Sequence, residues 1–224
     1  LYEAFFKGYT RKQWGIAPAE LPASILKRLP LRFSYDDNYY DDPYQGIPKQ
    51  GYSHLIQNII GDLDVRLNED FFELTDWRLL AKKLVYSGPI DRFFNYRFGR
   101  LAYRTLRFEN ELVDGDYQGM AQMNYTDINV PWTRIVEHKF FRPSETSQSI
   151  ITREYSAEWT EGAVPYYPVN DLENNALYDR YRNLANALDD VIIGGRLGCF
   201  KYYDMDQVIA ASLHAAEIEL TTRR

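Results

Sequence analysis

Between residues 100 and 160 the chain alternates polar and apolar side chains four times over. The runs are Tyr103-Arg104-Thr105-Leu106-Arg107-Phe108-Glu109, Ala121-Gln122-Met123-Asn124-Tyr125, Ile135-Val136-Glu137-His138-Lys139-Phe140 and Ile150-Ile151-Thr152-Arg153-Glu154-Tyr155. Successive side chains of a strand point to opposite faces, so period-two runs separated by turns predict an antiparallel sheet. The flanks read as helices and short strands. Tyr2, Phe5, Phe6 and Tyr9 fall at spacings of three and four and predict a first helical segment over about 1–29, broken by Gly15 and Pro18. A second helix is expected from Leu21 to Leu29, stopped by Pro30. Residues 31–50 read as loop, Gly51 to Ile60 as a helix, and Val65-Arg66-Leu67 and Leu84-Val85-Tyr86 as short strands. Ser87-Gly88-Pro89 reads as a turn before a short helix holding Phe93 and Phe94. Residues 171–188 are again helical, with Leu172, Ala176, Leu177 and Tyr181 on one face. Val191-Ile192-Ile193 reads as a buried strand, and a last helix runs from about Asp204 to Ile218. The fold class is α+β: helices first, an antiparallel sheet in the middle, then a strand–loop–helix closure.

The composition narrows the function classes. The 224 residues hold 26 Lys+Arg against 32 Asp+Glu, a net charge of −6, which argues against sequence-independent nucleic-acid binding. No apolar run approaches the roughly 18 residues of a membrane span, and no signal peptide is read at the start. A single cysteine, Cys199, excludes an internal disulfide and a cysteine zinc cluster. A cytoplasmic location is expected. The chain opens Leu1-Tyr2-Glu3-Ala4-Phe5-Phe6, with no Met and no helix cap, and reads as a piece of a longer protein.

Metal and hydrolase chemistry find little support. His54, His138 and His214 are far apart and none sits in a ligand spacing, so structural or solvated roles are expected. Nothing resembling G-x-S-x-G supports a Ser-His-Asp triad, and the Asn124-Tyr125-Thr126 sequon falls in a strand. Gly194-Gly195-Arg196-Leu197-Gly198 follows a strand and precedes a helix, the context of a phosphate loop, yet it lacks both P-loop and dinucleotide spacing; a tight turn is the alternative. The first helix says more. Phe5, Phe6, Tyr9, Thr10 and Trp14 could be core, but Arg11, Lys12 and Gln13 interleave them. Aromatic faces suit a nucleobase, and the guanidinium groups of Arg28 and Arg134 suit a phosphate, which each can grip with two donors. Tyr39 follows Arg28 shortly, and Tyr166-Tyr167-Pro168 and Tyr202-Tyr203-Asp204 add hydroxyls. Arginines and tyrosines without a Lys-rich patch fit a small diphosphate ligand better than a polyanion.

The ordered motifs Phe5-Phe6-Lys7-Gly8-Tyr9-Thr10-Arg11-Lys12-Gln13-Trp14, Tyr86-Ser87-Gly88-Pro89-Ile90-Asp91, Leu101-Ala102-Tyr103-Arg104-Thr105-Leu106, Trp132-Thr133-Arg134-Ile135-Val136-Glu137-His138-Lys139, Tyr166-Tyr167-Pro168, and Gly195-Arg196-Leu197-Gly198 with Tyr202-Tyr203-Asp204-Met205-Asp206 resemble the bacterial UDP-galactopyranose mutases nearly end to end. That family begins with a Gly-rich βαβ unit for FAD, which this sequence lacks, so the resemblance is to the C-terminal portion. It implies a helical substrate domain over 1–47, segments of an FAD-binding domain over 48–98 and 188–224, and a sheet domain over 99–187. Two departures stand out: Cys199-Phe200, where a more polar or Tyr-bearing pair is expected, and Ser156, where the family usually has Pro.

The resemblance further implies isomerisation of UDP-galactopyranose to UDP-galactofuranose through a reduced-flavin N5–sugar adduct, serving galactofuranose-containing cell-surface glycans, in a homodimer. By the same resemblance Phe5, Phe6, Tyr9, Thr10 and Trp14 form the uridine pocket. Arg28, on a mobile loop, and Arg134, fixed, flank the diphosphate and are the catalytic pair. Tyr39, Tyr167 and Tyr202 are hydroxyl donors, and Asn124 and Asp204 are substrate neighbours. Val65, Gly195, Arg196, Asp204 and Met205 are flavin contacts. Two alternatives stand beside this: another amine-oxidase-like flavoprotein, and a non-catalytic sugar-nucleotide-binding fragment. The arginine pair disfavours the first, since amine oxidation has no use for a diphosphate clamp.

Overall fold

In the computed structural model, residues 2–20, 33–35, 40, 42–74, 76–142 and 145–222 are described. The chain divides into two compact units, Leu1–Pro22 with Ala81–Arg224, and Ala23–Leu80. The fold is α+β, as the sequence implies.

In the larger unit a π-helical turn, Tyr2–Lys7, runs directly into α1, Gly8–Trp14. Gly15 ends α1 in the left-handed region (φ 75°) and returns its N–H to the Arg11 carbonyl at 2.9 Å, the usual role of glycine one step past a helix. A 3-10 turn follows at Pro18–Glu20. The expected helix over Leu21–Leu29 lies outside the described residues.

The antiparallel sheet forms from β2 (Tyr103–Asp114), β3 (Gln122–Asn124), β4 (Arg134–Glu137), β5 (Gln148–Glu158) and β6 (Tyr167–Pro168), in the order β3-β4-β5-β2-β6. β4 is shorter than its alternation predicts: the ladder stops at Glu137 and His138–Phe140 turns into a 3-10 helix. The reason lies at Glu137, which is fully buried. Its carboxylate accepts from the backbone N–H groups of Tyr117, Gln118 and Gly119 at 2.8–3.1 Å and from the Ser149 hydroxyl at 2.7 Å. These donors hold it low, at about 2, against burial. The residue that closes β4 thereby also pins the β2–β3 connection.

A separate two-stranded parallel pair joins β1 (Leu84–Tyr86) to β7 (Val191–Ile193), with Val85 opposite Ile192. Between them run a short helix α3 (Ile90–Phe93) and α4 (Leu172–Ala185), the latter capped by Asp171, whose carboxylate accepts from Asn174 N at 2.7 Å. The core of this region packs Ile90, Leu101, Tyr103, Tyr181, Ala185 and Phe200. Tyr181, fully buried, donates to the Gly99 carbonyl at 2.6 Å and accepts from Phe98 N at 2.9 Å. The buried stripe of α4 is therefore Leu177, Tyr178, Tyr181 and Ala185. Leu172, expected on that face, is 92% exposed, because it opens the helix ahead of the first packed turn. A single helical turn, α5 (Gly195–Gly198), follows β7, and α6 (Met205–Thr222) runs longer than expected.

The smaller unit contains α2, Tyr52–Ile60, as the sequence predicts. Val65-Arg66-Leu67 is not a strand there. Val65 and Leu67 are 49% and 78% exposed, Arg66 pairs with Asp64 and Glu69 alongside, and Asn68 turns to φ 60°. Alternation without a partner ladder does not make a strand.

Candidate functional site

Strand register gathers the site. Asn124 pairs with Arg134, Arg134 with Glu154, and Arg104 with Tyr167. Ser156 lies two residues from Glu154 on β5, and Arg104 two residues from Leu106, its cross-strand partner. The period of two therefore places Asn124, Arg134, Glu154, Ser156, Arg104 and Tyr167 on one face of the sheet. Helix α1 lies against this face with Thr10, Gln13 and Trp14 turned inward, at i, i+3 and i+4.

Two contacts seat the end of α1. The Arg104 guanidinium donates from Nε to the Gln13 carbonyl at 3.0 Å and reaches the Ser156 hydroxyl at 3.3 Å. Ser156 in turn donates to the Gln13 carbonyl at 2.6 Å. A cation and a hydroxyl thus satisfy a carbonyl that the helix leaves unpaired. Ser156, where the resemblance leads one to expect Pro, has a definite structural task here, since Pro offers no such donor.

The second arginine of this face is Arg134. Its Nη2 donates to the Tyr9 hydroxyl at 3.1 Å, its Nη1 to Gln122 Oε1 at 3.4 Å, and its Nε lies 3.4 Å from Glu154 Oε1. The Glu154 contact is an ion pair without hydrogen-bond alignment, and Arg134 Nε and Glu154 Oε1 are buried with no hydrogen-bond partner. Burial pushes the Glu154 carboxyl up, and Arg134 pulls it back. Burial also opposes the charge on Arg134, but Tyr9 and Glu154 more than offset it and the guanidinium stays cationic. Gln13 Oε1 and Asn124 Oδ1 are likewise buried and unpartnered. Gln13 Oε1 and Asn124 Oδ1, beside the Arg134–Glu154 ion pair, are buried acceptors on this helix–sheet face that a polar ligand could satisfy.

Beside them stands an aromatic corner. Trp14 meets Tyr202 edge-on with ring centroids 5.6 Å apart, Trp14 and Tyr167 lie 6.2 Å apart, and Tyr167 and Tyr202 lie 5.1 Å apart. Burial raises the Tyr167 hydroxyl's pKa, so it remains a donor. Arg196, on α5, lies over both tyrosine rings at 5.6 and 5.1 Å. It donates from Nε and Nη2 to the Tyr203 carbonyl and from Nη1 to the Tyr166 carbonyl.

The structure thus brings together Tyr9, Thr10, Trp14, Asn124, Arg134, Tyr167, Tyr202 and Arg196. Phe6 is half-buried, whereas Phe5 is 58% exposed. Asp204 and Met205 begin α6, where the Asp204 N–H is capped by Gln207 Oε1 at 3.0 Å. Arg28 and Tyr39 lie outside the described residues, and Val65 belongs to the other compact unit. Sequence reasoning missed Glu154, Gln13 and Arg104 as site residues. The only signal for Glu154 was its parity within β5, which identifies a face only once the register with Arg134 is known.

For a flavin, the elements on this chain fit. Gly194, at the end of β7, has nothing within 4 Å of where a Cβ would stand, whereas at Gly195 that position meets the Ser87 side chain at 3.1 Å. Arg196 is an anchored cation, with three of its five N–H groups committed to carbonyls.

Among the described residues no group of three or more His, Cys, Asp or Glu could hold a metal, and no helix is long and apolar enough to cross a membrane.

The model of the family described as UDP-galactopyranose mutase matches residues 4–202. Curated relatives include a probable UDP-galactopyranose mutase of Klebsiella pneumoniae, 49% identical over 97% of this chain and 57% of its own length. A dTDP-fucopyranose mutase of Escherichia coli is 40% identical over 100% of this chain and 62% of its own. A UDP-galactopyranose mutase of Mycoplasma pneumoniae is 36% identical over 93% and 57%. The crystal structure of a reduced UDP-galactopyranose mutase is similar in fold, with a TM-score of 0.57 and 12% identity over 90% of this chain and 60% of that one. The chain spans about three fifths of the length of the relatives it matches.

Proposed function

Because the chain belongs to the UDP-galactopyranose mutase family, we propose that it is the substrate-binding and flavin-facing portion of an isomerase that interconverts UDP-galactopyranose and UDP-galactofuranose. The observation that carries the reading is Arg134: a half-buried cation, tied to Tyr9 and flanked by orphaned polar atoms beside an aromatic corner. Trp14, Tyr9 and Phe6 supply ring faces for a uracil. Arg134, Tyr167 and Tyr202 supply a cation and hydroxyls for the diphosphate. When UDP departs from the anomeric carbon, negative charge grows on the β-phosphate, and a fixed guanidinium stabilises it without reorganising. Glu154 keeps Arg134 in place and sets the field around it. The family resemblance adds Arg28 and Tyr39 as diphosphate ligands, and Phe5 and Thr10 as residues of the uridine pocket.

Bound in its reduced form, FAD would supply the nucleophile and leave no net redox change. Gly195, Arg196, Asp204 and Met205 would hold one edge of it, and the family resemblance adds Val65 as a flavin contact. The parallel pairing of β1 with β7 joins residues 84–86 to 191–193; the family resemblance extends these two segments to 48–98 and 188–224 of one FAD-binding domain, with 1–47 and 99–187 as substrate and sheet domains. A cytoplasmic homodimer serving galactofuranose-containing glycans completes the proposal. A second reading has a specific basis: the 40% identity to a dTDP-fucopyranose mutase makes dTDP-fucopyranose the competing substrate.

The test incubates the parent protein, chemically reduced, with each sugar nucleotide in turn, and follows furanose formation by chromatography. Conversion of UDP-galactopyranose supports the first reading, and conversion of dTDP-fucopyranose alone supports the second. Inertness toward both overturns the proposal.

A further inference from the structure

Lys12, one of the polar residues that interleave the aromatics of the first helix, has its ammonium on backbone carbonyls. Nζ donates to the carbonyl of Tyr125 at 2.7 Å, of Trp132 at 2.9 Å and of Val130 at 3.0 Å. An ammonium has three N–H donors, so this cage uses all of them, and none is left for a ligand. Burial lowers the Lys12 pKa, with Asp127 opposing. The caged segment is the β3–β4 connection. It leaves the sheet after Asn124 and returns at Arg134, and Tyr125 N bonds the Thr133 carbonyl at 2.9 Å across its base.

A second feature marks the same seam. Gly8 lies one helical turn before Lys12 on the same face of α1. A Cβ at Gly8 would stand 2.2 Å from the Thr126 carbonyl oxygen, so the helix meets the connection there without a side chain between them. Helix α1 carries Tyr9, and the connection leads into Arg134; the two side chains meet at 3.1 Å.

We propose that Lys12 is a positioning residue: by holding three carbonyls of the β3–β4 connection it sets the spacing between the α1 aromatic platform and Arg134. This rests on the reading of that face as the nucleotide-sugar site. Lys12 touches no substrate; it acts through the Tyr9–Arg134 contact.

The experiment uses the full-length parent protein and UDP as probe. UDP affinity is measured by calorimetry for the parent, Lys12→Met, Tyr9→Phe and the double variant, with circular dichroism and bound-flavin absorbance recorded for each. Lys12→Met is expected to weaken UDP at least about tenfold with flavin content unchanged, and to add less than threefold in the Tyr9→Phe background, since coupled sites are non-additive. If Lys12→Met does not fold, Lys12→Gln takes its place under the same criteria. Folded Lys12→Met that binds UDP within twofold of the parent overturns the proposal. So does an equal loss in both backgrounds, which marks a direct or merely structural effect. A parent protein that does not bind UDP overturns the site reading itself, and the proposal with it.

Discussion

Arg134 and Tyr9 are 125 positions apart in sequence, and the Arg134 Nη2 to Tyr9 hydroxyl distance is 3.1 Å. The contact binds the first helix to β4, the second strand in from one edge of a five-stranded sheet in the order β3-β4-β5-β2-β6. Removing either partner should therefore change ligand binding more than folding.

For Arg134→Ala in the parent protein, turnover should fall by at least about 100-fold, by analogy with the loss of one fixed donor to developing charge at roughly 3 kcal/mol. Flavin content should be unchanged, because Arg196 and not Arg134 stands at the β7–α5 corner. Steady-state kinetics with an absorbance spectrum of the purified variant checks both. Turnover within a factor of three of the parent removes Arg134 from the diphosphate clamp.

Glu154→Leu should destabilise by about 3 kcal/mol or more, since it leaves a half-buried guanidinium without its ion-pair partner. Glu154→Gln should cost less, because burial already pushes this carboxyl towards its neutral form. Urea titrations of the two variants side by side give the comparison. Equal losses would mean that the Glu154 charge contributes nothing at this position.

The sheet was legible because alternation is a local signal. All four runs became strands, and β2 and β5 extend beyond theirs. The same signal misled at Val65-Arg66-Leu67, where three alternating residues have no ladder to join, and the helical pattern misled at Leu172 and Ala176, which are exposed on α4. Within the candidate site, Arg134, Trp14 and Tyr167 were singled out by residue type, and the structure brings them to one helix–sheet face. Glu154 and the task of Lys12 were not. Glu154 depends on the register of β4 against β5, and the Lys12 cage on the path of backbone carbonyls more than 110 residues away. Side-chain chemistry shows in a sequence, but backbone acceptors do not.

Gly8→Ala tests the seam between α1 and the β3–β4 connection. Alanine normally strengthens a helix by roughly 1 kcal/mol over glycine. Here the new methyl would stand 2.2 Å from the Thr126 carbonyl oxygen, a backbone atom that cannot swing aside. The variant should be less stable by more than about 2 kcal/mol, with UDP binding weakened as the helix is pushed off. A thermal melt showing equal or higher stability would mean that the seam opens freely.

Glu137 makes acid stability a test of the β2–β3 connection. Its carboxyl sits at about 2 in the folded protein, below the ordinary glutamate value of 4.5. A depressed acid contributes its full stabilisation above the unfolded value and loses it as pH falls through the folded one. That contribution, on the order of 3 kcal/mol from the shift, should be complete at pH 6 and fade between about pH 4.5 and 2. Glu137→Gln keeps the shape but loses the charge that faces three backbone N–H groups and the Ser149 hydroxyl. The variant should be less stable than the parent at pH 6, and the gap should close as pH falls towards 2. Denaturant titrations at pH 6, 4 and 3 read the difference directly, and a gap that stays constant over that range would show that the anion is not what the nest holds.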